Sequence, residues 1–106
     1  VSLSNPFLGG FFMESSIESL REEINRIDES IIKLLSARME VAKKIAFLKK
    51  EMGILVEDRD RERIIFLKLD DDARRNNLDE NFVSDIFEKI ISHSKFLQTN
   101  IMEGQK

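Results

Sequence analysis

The chain has 106 residues and a formal net charge of −3, with no cysteine and a single histidine. This length fits one small domain, and the missing cysteines exclude a disulfide framework and any thiolate metal site. One histidine argues against an ordinary transition-metal site, the acidic balance argues against bulk nucleic-acid binding, and no apolar run reaches the length of a membrane span. We therefore expect a cytoplasmic protein without nucleic-acid or membrane partners.

The first residues, VSLSNPFLGGFFMESS, differ in character from the rest, since they contain the only proline and no charge before Glu14. A secretory signal would need a basic start and a longer apolar core. Residues 1–13 are therefore interpreted as a leader or a disordered extension, and residues 14–106 as a helical domain. The alternative is a functional segment whose exposed phenylalanine pair docks on a partner.

The first predicted helix is the longest. Ser15, followed three residues later by Glu18, indicates its capped start, and Gly53 supplies its stop. Between them, apolar residues recur in alternating steps of three and four, the heptad pattern of a coiled-coil seam. These are Ile17, Leu20, Ile24, Ile27, Ile31, Leu34, Val41, Ile45, Leu48 and Met52. A helix of about 38 residues is roughly 57 Å long, which is more than a domain of this size buries by itself. Its length alone therefore predicts a dimer.

Two shorter helices are predicted next. The second starts near Asp58 and ends at Asn76–Asn77, where asparagines favour a turn. The third opens with Asp79 as its N-cap, and its apolar stripe contains one polar residue, Ser94. No stretch has the period of a strand, so the fold class is predicted to be all-α with three helices.

Arg38 breaks the pattern, because it is the one charged residue among the eleven positions of the seam. A polar residue that sets the register, or an arginine whose long stem carries its charge to water, would be a structural explanation. A buried cation without a partner is expensive, and the stripe offers no acid. A bound carboxylate would serve, because a guanidinium grips carboxylates with two parallel hydrogen bonds.

Two further cations are related to Arg38 by their spacing. Lys49 follows eleven residues later, so that both face nearly the same way about 16 Å apart and can reach a ligand between them. By itself, Lys49 would be an ordinary surface lysine. Arg21 precedes Arg38 by about 25 Å along the helix, which is too far for one small ligand within one chain. In an antiparallel or offset dimer, Arg21 of one subunit would lie beside Arg38 of the other.

Polar residues on the other two helices complete the candidate set. Ser94 and Gln98 are one turn apart and share a face; they either hydrogen-bond to each other or the backbone, or they are donors directed at the same interior. Asp58, Arg61 and Glu62 fall within about one turn at the start of the second helix. Charged residues are ordinary in such a turn, so these three are weak evidence by themselves.

Together these residues resemble the all-helical chorismate mutase family. The resemblance runs from about Ile17 to Gln98 without a gap, in LREEINRIDESIIKLLSARMEVAKKIAFLKK, VEDRDRERI and IISHSKFLQ. It rests on eight residues at their mutual spacing: Arg21, Arg38, Lys49, Asp58, Arg61, Glu62, Ser94 and Gln98. It implies three helices per chain, intertwined as a homodimer with two equivalent sites. It also implies conversion of chorismate into prephenate for Phe and Tyr biosynthesis, with no metal, cofactor or covalent intermediate.

The resemblance further implies a role for each residue. Arg21 from the partner and Arg38 would grip the two carboxylates of chorismate, with Ser94 helping at one of them. Lys49 and Gln98 would donate to the ether oxygen, where negative charge grows as the C–O bond breaks. The expected catalytic residues are therefore Arg38, Lys49 and Gln98.

The remaining residues would bind the rest of the substrate. Glu62, with the backbone near Asp58, would hold the ring hydroxyl, and Arg61 would lie at the rim. Two positions depart from the family pattern: Leu55, where relatives often carry proline, and His93, where an acid can occur.

Three alternatives stay open. An isochorismate-pyruvate lyase of the same fold would use a similar cationic pocket, although the loop VEDRDRER resembles that of a mutase more closely. A non-catalytic helical dimerisation or regulatory module would tolerate leucine in place of Arg38 at no cost. The chain could also belong to a larger assembly of aromatic-pathway enzymes.

Overall fold

The computed structural model describes residues 16–104, which form three α-helices. Helix α1 is Ile17–Met52, α2 is Arg59–Arg75 and α3 is Glu80–Met102. No strand occurs among the described residues, so the prediction of an all-α chain with one long and two shorter helices is confirmed. No helix in this part of the chain is both long and apolar enough to cross a membrane. The predicted leader, residues 1–13, lies outside the described residues.

Each helix starts at a side-chain cap. Ser16 and Asp58 each accept a hydrogen bond from the backbone N–H three residues later, at 3.1 and 3.0 Å. Asp79 accepts one from the N–H two residues later, at 2.9 Å, which confirms it as the cap of α3. Such caps satisfy N–H groups that have no partner within the helix. The expected cap of α1, Ser15, lies outside the described residues, and the observed cap is the residue after it.

Left-handed residues end the first two helices. Gly53 has a φ of +69° and Asn77 a φ of +59°. In both turns the N–H of the next residue donates to the carbonyl five positions before it, at 2.9 Å. Glycine and asparagine adopt this conformation at the lowest cost, which is why both predicted stops are confirmed.

The described chain divides into two compact units, one up to Ser36 and one from Ala37 onward. In the first unit, no side chain of residues 16–36 is buried. Six members of the predicted seam are between 46% and 70% exposed there: Ile17, Leu20, Ile24, Ile27, Ile31 and Leu34. Among the described residues, this part of α1 thus presents a row of large aliphatic side chains that are exposed.

The second unit contains the buried side chains. The apolar ones are Ala42, Ala46, Ala73, Ile91 and Ile101. Within this unit the seam residues Val41 and Ile45 stay exposed, and the residue after each is buried instead. The buried row of α1 is therefore made of alanines, and these small side chains leave room for the side chains of Ser94 and Gln98 on α3 to form hydrogen bonds with α1.

Candidate active site

A cavity of about 420 Å³ lies in the second unit, lined by residues of all three helices and of the loop before α2. Its apolar lining consists of Val41, Ala42, Ile45, Val56, Ile65 and Ile91. Its polar lining consists of Arg38, Lys49, Asp58, Arg61, Glu62, Ser94, Lys95 and Gln98. Seven of the eight residues selected from the sequence therefore line one cavity, and Arg21 is not among them.

Arg38 enters this cavity from α1 and is oriented by α3. Its guanidinium donates to the hydroxyl of Ser94 at 2.8 Å, and that hydroxyl donates to the sulfur of Met39 at 3.5 Å. Ser94 is buried and Arg38 is half-buried. The serine fixes one end of the guanidinium without neutralising it, so the charge remains available to an anion.

Gln98 is anchored to the backbone of α1. Its side chain is buried, and its Nε2 donates to the carbonyl of Ala42 at 2.9 Å. A primary amide carries two N–H groups, so this bond uses one and leaves the other for a ligand. Ser94 and Gln98 do not bond to each other; each instead contacts α1.

Lys49 is held at the end of α1 by the loop that follows. Its Nζ donates to the carbonyl of Val56 at 3.1 Å. Two residues further on, Asp58 caps α2 through one carboxylate oxygen. The loop is thus tied to α1 at one end and to α2 at the other, which directs the positive N-terminal end of α2, with Arg61 and Glu62, to the cavity.

Three lining cations have no acidic partner within the part of the chain that the structure describes. Among residues 16–104, no ion pair involves Arg38, Lys49 or Arg61. Like charges gathered in a concave site without counter-charges repel one another, and a bound anion would relieve that repulsion. The cavity therefore has the chemistry of a site for a small polycarboxylate with an apolar body.

Lys95 is the polar lining residue that the sequence analysis did not single out. Its Nζ lies 3.0 Å from Oε2 of Glu62 and 3.4 Å from Oε1 of Glu57. The hydrogen bond to Glu62 is the main cause that raises the pKa of the Lys95 ammonium, so this residue stays charged at ordinary pH. Its position three residues before Gln98 places both on one face of α3, and that spacing was the signal available in the sequence.

Arg21 belongs to the first unit and is exposed there.

Among the described residues, no group of three or more His, Cys, Asp or Glu side chains is arranged so that it could hold a metal ion.

Residues 20–99 match the profile of the family described as chorismate mutase type II. The chain belongs to the chorismate mutase type II family. The chorismate mutase of Methanocaldococcus jannaschii is 34% identical over 91 residues, which cover 86% of this chain and 92% of that protein. The predicted family is thereby confirmed, and with it the predicted enzyme class and activity, that of a chorismate mutase.

Longer relatives contain a similar segment. The bifunctional chorismate mutase/prephenate dehydratases of Buchnera aphidicola (subspecies Schizaphis graminum) and Escherichia coli K12 are 33% and 30% identical over 84% and 85% of this chain. The chain spans only 23% of each of those proteins.

Proposed function

We propose that the cavity binds chorismate and catalyses its rearrangement to prephenate, with Arg38, Lys49 and Gln98 as the catalytic residues. The observation that carries the proposal is the gathering of three cations without carboxylate partners, among the described residues, against an apolar wall. Chorismate matches such a cavity, because its two carboxylates would pair with the cations and its ring would pack against the apolar side chains. The rearrangement moves no proton, so it needs no general base.

Arg38 would bind one carboxylate of chorismate. Ser94 holds the guanidinium from one side at 2.8 Å, which leaves its other N–H groups for two parallel bonds to a carboxylate. Fixing the carboxylates would fold the enolpyruvyl arm over the ring and bring the two reacting carbons together. Such positioning is a large source of rate in unimolecular rearrangements.

Lys49 and Gln98 would stabilise the transition state at the ether oxygen. Each is fixed by one hydrogen bond to a backbone carbonyl and keeps further N–H groups free to donate. Donors that are in place before charge develops stabilise the transition state without reorganising. Their positions before the substrate enters therefore support a catalytic role.

The start of α2 would bind the ring hydroxyl. Glu62 lines the cavity and is half-buried, and the capped turn at Asp58 keeps the adjacent backbone in place. Arg61 is exposed at the same turn, as expected of a rim residue that attracts the dianion.

The proposal includes a homodimer in which Arg21 of a second copy completes the site. The exposed aliphatic row of the first unit supports it, because a second copy would bury such a row as a coiled-coil seam does. Arg21 lies on the same part of α1 and has no ion pair among residues 16–104. The cytoplasmic location stays a prediction, which fractionation of the source cells would test.

The activity itself has a direct test. The purified chain is expected to consume chorismate, followed by the loss of its ultraviolet absorbance, with prephenate identified by NMR as the product. Salicylate and pyruvate formed from isochorismate, without prephenate from chorismate, would instead indicate the lyase. Turnover of neither substrate would indicate a binding module.

The shared site is tested by pairing two defective variants. Arg21→Ala and Arg38→Ala are each expected to be nearly inactive, whereas their co-expression is expected to restore about a quarter of the wild-type activity. About half of the dimers would then be mixed, and each mixed dimer would have one site with both arginines intact. Arg26→Ala, which removes an exposed cation of the same helix, is the control. Co-expressed variants that stay inactive would contradict an Arg21 contributed across the interface.

A further inference from the structure

Lys95 connects α3 to two acids on the other side of the cavity. Glu62 lies in the first turn of α2, and Glu57 lies in the loop before it. The ammonium is within 3.0 Å of the first and 3.4 Å of the second. The side chains of Lys95 and Glu62 are only 32% and 25% exposed, so solvent screens this pair less than it screens the surface pairs of the chain.

The pair also sets the charge of the cavity. The polar lining has four cations against two acids, and Lys95 is one of the four. Among the described residues, Lys95 is the only cation that pairs with Glu62. Without it, a carboxylate without a counter-charge would face an incoming dianion, and the surplus of positive charge in the lining would fall by half.

We propose that Lys95 is a positioning residue for substrate binding, which holds the Glu62 carboxylate where it accepts the ring hydroxyl and offsets its charge against the dianionic substrate. This inference rests on the proposed function, because the contact between Glu62 and the hydroxyl belongs to it. In this proposal Lys95 acts through Glu62 and does not itself bind the reacting atoms. Its loss should therefore weaken binding and leave the chemical step nearly unchanged.

The test replaces the ammonium and keeps the length of the side chain. Lys95→Met is expected to raise KM for chorismate about tenfold, with kcat within about twofold of wild type. Lys95→Arg, which keeps the charge, is expected to recover most of the affinity. Lys89→Met is the matched control, because Lys89 is an exposed lysine of the same helix outside the cavity lining. Thermal melts of all three variants verify that they fold.

A double-variant cycle separates positioning from a general structural role. Because Lys95 acts through Glu62, the variant with both Lys95→Met and Glu62→Gln is expected to have a KM within about twofold of Glu62→Gln alone. A structural role that does not involve Glu62 would give additive effects, and additivity would overturn the inference.

The outcomes also separate this inference from the activity on which it rests. If wild type turns over chorismate and Lys95→Met has the same KM as wild type, the inference is overturned and the chorismate mutase activity stands. A fall in kcat with KM unchanged overturns it as well, since that result would place Lys95 in the chemical step. A wild-type chain that turns over no chorismate overturns both.

Discussion

Replacing Arg38 by leucine is expected to lower kcat/KM for chorismate by at least about a thousandfold, while the protein stays folded. The guanidinium is the half-buried cation of the cavity that Ser94 orients, and no carboxylate pairs with it among residues 16–104. Leucine fills a similar volume but binds no carboxylate, so both substrate affinity and the fold of the enolpyruvyl arm are lost.

Stability should respond to Arg38→Leu in a different way from activity. Removing an unpaired, half-buried cation is favourable, whereas losing its hydrogen bond to the buried Ser94 hydroxyl costs about 1 kcal/mol. The two terms offset each other, so we expect the free energy of unfolding in urea to change by no more than about 1 kcal/mol.

The control for this prediction is Lys44→Leu, which removes an exposed cation of the same helix that does not line the cavity. It should leave kcat/KM near the wild-type value. An Arg38→Leu variant that is more stable and equally active would remove Arg38 from the catalytic residues.

Replacing Gln98 by glutamate is expected to make activity strongly dependent on pH. The wild-type amide does not titrate and donates at every pH. A carboxyl at this buried position would donate only in its protonated form, and the charged form would repel both the Ala42 carbonyl and the developing negative charge on the ether oxygen. We expect burial and the Ala42 carbonyl, which accepts a hydrogen bond only from the protonated acid, to raise the pKa of such a carboxyl above its usual value of about 4.3, against the opposing effect of the cations in the cavity.

The direction of the effect follows from that shift. Activity of Gln98→Glu should be highest at acidic pH and fall by about a hundredfold as pH rises through the folded-state pKa. Because the folded state holds the proton more tightly than the unfolded chain does, the stability of the variant should also fall as pH rises from about 4.3 to the folded-state pKa. Parallel measurements of kcat and of thermal melts from pH 5 to pH 8, with wild type as the control, check both trends. If kcat of Gln98→Glu does not change with pH, Gln98 does not donate to the ether oxygen.

The sequence predicts the ends of the helices well because their signals are local. Gly53, Asp58 and Asp79 act through the backbone within a few residues, independently of how the helices pack. At the start of α1 the hydroxyl of Ser16 accepts a hydrogen bond from the N–H of Ser19, whereas the predicted cap, Ser15, lies outside the described residues.

The candidate site is predictable to the extent that it follows helical spacing. Arg38 with Lys49, and Ser94 with Gln98, are related within single helices, and the cavity includes all four. Lys95 could not be predicted in the same way, because its role depends on the ion pair with Glu62. That pair forms only when α2 packs against α3. The buried alanine row of α1 was missed for a similar reason, since the large apolar residues next to it dominate the periodicity.

The two donors proposed for the ether oxygen take their orientation from main-chain carbonyls, those of Ala42 and Val56. A carbonyl acceptor is present whatever side chain a position carries, so point mutations at positions 42 and 56 do not delete it. At the buried Ala42, the size of the side chain is what matters, because a larger residue would push α3 and Gln98 away. The two carbonyl acceptors thus persist when the side chains at these positions change, for as long as the helices keep their spacing. Evolution is therefore expected to constrain the side-chain volume at position 42, and not the functional group that the side chain carries.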